Sequence, residues 1–225
     1  MKPLAEVRHI RLKFRKTGDL QYISHLDLQR VMSRVIVRSG IPVWYTQGFN
    51  PHAKMVFSMP LAVGTQSVCE YLDIRIDKEI STDEILARLN AEVTDDMKFS
   101  EAYVPQTKLS EIALVRYEIE IDTDASDKTL EKRTLELLTK GPLMMTKRSK
   151  SGDREVDILE YFRGVEVEQG EKLKISVTLK GGEGSLNPEM IVSALRENLG
   201  ILRTDEESYT VMRTGVYFAD GREFR

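Results

Sequence analysis

From Val7 to Arg15 the chain alternates without a break, with Ile10, Leu12 and Phe14 on one side and His9, Arg11, Lys13 and Arg15 on the other. A sustained period of two describes a strand with one face in a core and one polar face. The period then changes. Lys16-Thr17-Gly18-Asp19 has turn chemistry, and Ser24 and Asp27 have capping-box spacing. Leu28, Val31, Met32, Val35 and Ile36 recur at i, i+3, i+4, i+7 and i+8, which predicts a helix to about Ser39, stopped by Gly40 before Ile41-Pro42. A half-buried strand followed by an amphipathic helix restricts the chain to folds in which helices are layered on a sheet.

The same grammar continues. A short aromatic strand is expected over Val43 to Thr46, then a loop, QGFNPHAKMVFSMPLAVG, with a strand near Met55 to Ser58. Cys69 to Asp77 alternates again, Ser81 and Glu84 open a second helix, and Lys98 to Val104 returns as a strand. Residues 114–122 restart the pattern, with a helix from Lys128 to Thr139, a strand–turn–strand in MMTKRSKSGDREVDI and a strand over Leu173 to Leu179. Asn187-Pro188 starts a helix that ends at Gly200, and Tyr209 to Phe218 closes as a strand. Two successive βαββαβ units joined near Pro105 to Ser110 account for the 225 residues better than one sheet. The expected class is α+β, with two tandem ferredoxin-like domains of antiparallel sheets at 1–108 and 109–225.

A single cysteine, Cys69, cannot form an internal disulfide or a cysteine-only metal or cluster site, which excludes a thiol-held metal or cluster, and a reducing cytoplasm fits. His25 and His52 with Asp27 are the alternative metal ligands, but the expectation is no cofactor and no metal. Neither a secretory apolar core of roughly 7–15 residues nor a membrane-spanning run of roughly 18 stands out, so no membrane association is expected. The net charge of −3 hides an asymmetry: residues 1–60 carry ten Lys/Arg against Glu6, Asp19 and Asp27, a net of +7, which leaves −10 for the rest. Such a split points to an anionic partner for the N-terminal part.

Helices on one sheet face leave the other free, and here that face is expected to display His9, Arg11, Lys13 and Arg15. The candidate RNA-binding residues are Arg11, Lys13, Arg15 and Lys16, then Ser24 at a helix start, Gln47, Asn50 and Lys54 in the turn-rich segment, and Lys147 and Arg148 at a basic hairpin tip. The competing explanation for the strand is cross-strand pairing with Asp73 and Asp77. His25, His52 and Lys54 form a candidate catalytic set, two imidazoles as acid and base with a lysine to offset phosphorane charge in RNA cleavage. The sheet face lacks the paired aromatics that stack bases in common single-strand RNA modules.

At KFRKTGDLQYISHLDLQR, QGFNPHAKMVFSMPLAVG and CEYLDIRI the chain resembles a family of bacterial proteins known as radical-SAM-associated proteins; REVDI and the helix beginning at Asn187-Pro188 also fit. The likeness covers nearly the whole chain. In that family the region occurs alone beside a radical SAM enzyme or fused to the C-terminus of one. The resemblance implies a radical SAM enzyme as partner, and because the three clustered cysteines of such an enzyme are missing here, the radical chemistry would reside in that partner. Three functions follow as expectations: an accessory RNA-binding protein in RNA modification, an RNA-cleaving or RNA-modifying enzyme using His25 and His52, or a protein-interaction module for the radical SAM enzyme.

Overall fold

The computed structural model describes residues 7–124, 129–147, 152–182 and 184–225, which form two compact units, the first ending at Glu111 and including Arg225, the second running from Ile112 to Phe224. The first unit runs β1 (Arg8–Lys16), α1 (His25–Ser39), β2 (Met55–Phe57), β3 (Thr65–Ile76), α2 (Thr82–Asn90) and β4 (Phe99–Tyr103). Its strands are hydrogen-bonded in the order β4-β1-β3-β2, every pair antiparallel. The alternation in β1 works as read: Ile10, Leu12 and Phe14 meet Leu72, Ile74 and Ile76 of β3 and the stripe Leu28, Met32, Val35 and Ile36 of α1 in one core. α2 adds Ile85 and Leu89 to the same side. Phe14 anchors this layer, with the rings of Phe99 and Phe57 at 5.6 and 6.5 Å.

Both helix starts are capped as their spacing predicts. Ser24 Oγ accepts from the Asp27 N–H at 3.1 Å and Ser81 Oγ from the Glu84 N–H at 3.1 Å, each satisfying a donor that the first turn leaves orphaned. α1 ends where Gly40 turns to φ +62, a conformation costly for any residue with a Cβ, and Arg88 donates to the Gly40 carbonyl at 3.1 Å.

The second unit runs β5 (Leu114–Asp122), α3 (Leu130–Thr139), the hairpin β6 (Met144–Lys147) and β7 (Arg154–Asp157), β8 (Phe162–Gln169), β9 (Leu173–Lys180), α4 (Glu189–Leu199) and β10 (Ser208–Tyr217). Its sheet has the order β10-β5-β9-β8, again antiparallel throughout. Val115, Ile119 and Ile121 of β5 and Leu173, Ile175, Val177 and Leu179 of β9 are buried, as are Leu130, Leu138, Ile191 and Leu195 of the helices. Among the described residues no helix is long and apolar enough to cross a membrane.

Two expectations are corrected. The segment Val43 to Thr46 is not a strand but holds isolated bridges, Val43 to Ile76 and Tyr45 to Ala53, because Pro42 and the turn after Thr46 leave too few residues for a ladder. The hairpin from MMTKRSKSGDREVDI is a separate two-stranded sheet, and the strand that joins β9 is β8, which the sequence reading missed. β8 is an edge strand, half-buried at Val165 and Val167 and exposed at Glu166 and Glu168, so its alternation is short and faint.

Glu207 fixes the approach to β10. Its carboxylate accepts from the N–H groups of Arg203 at 2.6 Å and Thr204 at 3.2 Å and from the Thr123 hydroxyl, beside Leu202 at φ +58. The Thr123 hydroxyl first, then these backbone donors, hold its carboxyl down at about 2, against an ordinary 4.5. Since the folded-state value is depressed, the stabilisation is present above the unfolded value near 4.5 and is lost as pH falls toward 2. Glu207→Gln is expected to lower the melting temperature at neutral pH and to flatten its decline between those two pH values; a pH series of thermal melts on both proteins checks this.

Candidate functional site

The polar side of β1 is set by its register with β3, which places His9 opposite Arg75, Arg11 opposite Asp73 and Lys13 opposite Tyr71. Arg11 is 0% exposed and its fork meets Asp73 twice, Nε to Oδ1 at 2.7 Å and Nη2 to Oδ2 at 2.8 Å. Nη1 donates to the Thr107 hydroxyl at 3.0 Å and Nη2 to the Thr107 carbonyl at 3.0 Å. Burial works against the guanidinium charge, but the hydrogen bonds and charge of Asp73 outweigh it and hold the Arg11 pKa above its ordinary value. The same burial pushes the Tyr103 phenol up, opposed by Arg11.

The expected free basic face is therefore corrected. Arg11 is a buried cross-strand ion pair, the competing explanation weighed from the sequence. Lys16 is 1% exposed, with Nζ donating to the Gln21 carbonyl at 3.2 Å. Lys13 pairs with Glu101 at 3.3 Å, and Arg15 bonds the Asp95 carbonyl and lies 3.9 Å from its carboxylate. Residues 105–110 lie beside this face through Thr107, so it is not open sheet.

What remains accessible is a cleft of about 580 Å³ lined by His9, Lys54, Val56, Asp73, Ile74, Arg75 and the segment 105–110, which includes Lys108. Its only lining carboxylate among the described residues, Asp73, is taken by Arg11. Among the described residues neither Lys54, Arg75 nor Lys108 is ion-paired, so the cleft carries uncompensated positive charge. Arg75 is covered on one side by Trp44, whose ring centre lies 5.5 Å from the guanidinium and whose backbone N–H donates to the Arg75 carbonyl at 2.8 Å. Beyond Trp44 the Tyr45–Ala53 bridge and the Thr46 N–H to His52 carbonyl bond at 3.0 Å close a turn. Gln47, Phe49 and Asn50 stand exposed on it, and Lys54 follows its second stem.

The structure does not join the candidate catalytic residues. His25 Nε2 lies 3.0 Å from the Gln29 amide, one turn along α1, and its ring packs edge-on against Phe57 at 5.3 Å. His52 belongs to its own turn, with Nδ1 3.1 Å from the Thr46 hydroxyl and 3.2 Å from the Asn50 carbonyl. Of the three, Lys54 alone lines the cleft. Ser24 is occupied as a cap: besides accepting from the Asp27 N–H, its hydroxyl donates to the Asp27 carboxylate at 2.6 Å, which with Arg30 keeps that carboxyl below its ordinary range. Lys147 Nζ donates to the carbonyls of Gly184 at 2.7 Å and Ser185 at 3.1 Å and lies over the Tyr161 ring; Arg148 lies outside the described residues.

Sequence reasoning missed Arg75, Trp44 and Lys108 as site residues. Arg75 sat on the polar side of an alternating strand, a legible signal, but its placement opposite His9 is a matter of register, which the residues of neither strand state alone.

A family model described as "Uncharacterized protein conserved in bacteria (DUF2344)" matches residues 9–188. No curated protein matches the chain. Among solved structures, a crystal structure of a Cbf5-Nop10-Gar1 complex is similar over 96% of this chain and 50% of that one, at 11% identity and a TM-score of 0.47. This chain thus spans half the length of that relative. An unknown protein from Galdieria sulphuraria is similar over 92% of this chain and 99% of its own, at 9% identity and a TM-score of 0.28.

Two outcomes are expected here. Asp73→Ala leaves the Arg11 charge buried without its partner and should cost about 3–5 kcal/mol, measured by denaturant unfolding. Arg75→Ala uncovers one face of Trp44, the chain's only tryptophan, so its emission should shift to the red while the circular dichroism stays that of the parent.

Proposed function

Taking as premise that the chain belongs to the family of uncharacterised proteins conserved in bacteria, DUF2344, we propose that it is an accessory RNA-binding protein that works with a radical SAM enzyme in RNA modification. The observation that carries RNA binding is the convergence of Lys54, Arg75 and Lys108, with His9, on one cleft whose only carboxylate among the described residues is already bound. Unpaired cations beside a concave surface favour a phosphate-bearing ligand, and each phosphate they neutralise releases counterions. The radical SAM partner is inferred from the sequence resemblance at KFRKTGDLQYISHLDLQR and QGFNPHAKMVFSMPLAVG. A non-catalytic role is favoured because acid and base must reach one reacting atom, whereas His25 is engaged by Gln29 and Phe57 and His52 by its own turn.

We further infer that each unit is a ferredoxin-like domain. In both, a βαββαβ succession lays its strands in the order fourth, first, third, second with antiparallel pairing; in the second unit the β6–β7 hairpin is inserted after the first helix.

Anisotropy of a labelled RNA oligonucleotide titrated with the protein across a salt series tests the binding. Lys54→Gln and Arg75→Gln are each expected to weaken binding and to reduce the log–log salt slope by about 0.7 on a single strand. Lys13→Gln, which removes a cation already paired with Glu101, should change the slope much less. Slopes left unchanged by Lys54→Gln and Arg75→Gln would remove the cleft from RNA binding, and purification from cells without any radical SAM enzyme would remove that partner.

A further inference from the structure

We propose that the cleft takes an unpaired nucleotide of single-stranded RNA, with its base stacked on Phe49 and its phosphate held by Lys54 and Arg75; this rests on the RNA-binding function proposed above. Phe49 is fully exposed, so it forgoes the burial that is the usual reason for a phenylalanine. Single exposed apolar residues are common on protein surfaces. Position distinguishes this one.

Gly48, at φ +141, shapes the turn that carries Phe49 into solvent. Both stems of that turn are tied to the cleft. On one stem Trp44 bonds the Arg75 carbonyl and covers its guanidinium; on the other, Lys54 follows directly after Ala53, the residue bridged to Tyr45. The aromatic tip and the two cations therefore share one frame and need not be assembled by the ligand. An exposed ring on a turn whose stems carry Lys54 and cover Arg75 suits a nucleotide, since any base offers a π face and every nucleotide brings a phosphate.

The strand state follows from shape. A concave cleft of about 580 Å³ has the size of a site for one small ligand group. Duplex RNA presents a wide, shallow minor groove with its bases stacked inside, and gives a projecting phenyl ring no base face to meet. An unpaired base splayed from a single strand does. The aromatics missing from the sheet face are thus supplied by the turn beside it.

The test uses the full chain, a labelled single-stranded oligouridylate and a duplex of the same length. The parent protein should bind the single strand more tightly than the duplex. Phe49→Ala should weaken single-strand binding by roughly 5- to 150-fold, the loss of one base stack, and Phe49→Trp should keep it. Because Phe49 is fully exposed, both variants should give the circular dichroism of the parent. Equal single-strand affinity in the parent and Phe49→Ala, or a preference for the duplex, would overturn the stacking proposal while leaving RNA binding intact wherever Lys54→Gln still weakens it. No binding of either RNA by the parent would overturn both. Loss of a copurifying protein in Phe49→Ala with unchanged RNA affinity would reassign Phe49 to protein docking and overturn the proposal.

Discussion

The buried pairing of Arg11 with Asp73 is the constraint on which the first unit depends. A guanidinium taken out of water costs several kcal/mol unless its donors and charge are met. Asp73 meets the charge bidentately from the neighbouring strand, and Thr107 meets the remaining side of the fork with its hydroxyl and its carbonyl. One side chain thus holds β1, β3 and the segment after β4. Thr107 extends the arrangement by donating to the Arg225 carbonyl at 2.7 Å. Bidentate geometry also resists a slip of the strands, since a one-residue shift would carry Asp73 to the core face and take its carboxylate from Arg11.

That arrangement decides which charges stay available. The +7 of residues 1–60 suggests a broad basic surface, yet Arg11, Lys13, Arg15, Arg30 and Arg38 all find carboxylates. Several of these carboxylates come from beyond residue 60, so the asymmetry along the chain is partly cancelled in space. Among the described residues Arg8, Arg34 and Lys54 are left without an ion pair, and of these Lys54 lines the cleft, where Arg75 and Lys108 join it and Arg11 has already claimed Asp73. The proposed RNA-binding site is in this sense a by-product of how the polar side of the sheet was neutralised.

The pattern of strands and helices was legible because it depends on periodicity and capping, which are local. Val7 to Arg15, the stripe from Leu28 to Ile36, and the caps at Ser24 and Ser81 needed no tertiary information. β8 was harder, since an edge strand half in water has only a weak need for apolar residues, and Val165 and Val167 between glutamates leave a faint trace. The site was less legible than the fold. Gln47, Asn50 and Lys54 stand on the expected turn, but Arg11 and Lys16 are buried where surface phosphate ligands were expected.

The sequence by itself determined where the chain turns, which face of each element is apolar, and that its N-terminal part is rich in cations. Those properties follow from residue order within a few positions. Only the tertiary structure decided which cations are spent. Whether an arginine is a surface ligand or a buried clamp depends on what its neighbour strand sets opposite it, and strand register is fixed by core packing across residues 62 apart in the chain, as between Arg11 and Asp73. The same register put Arg75 beside His9 and brought Trp44 against it, a juxtaposition that no local pattern encodes.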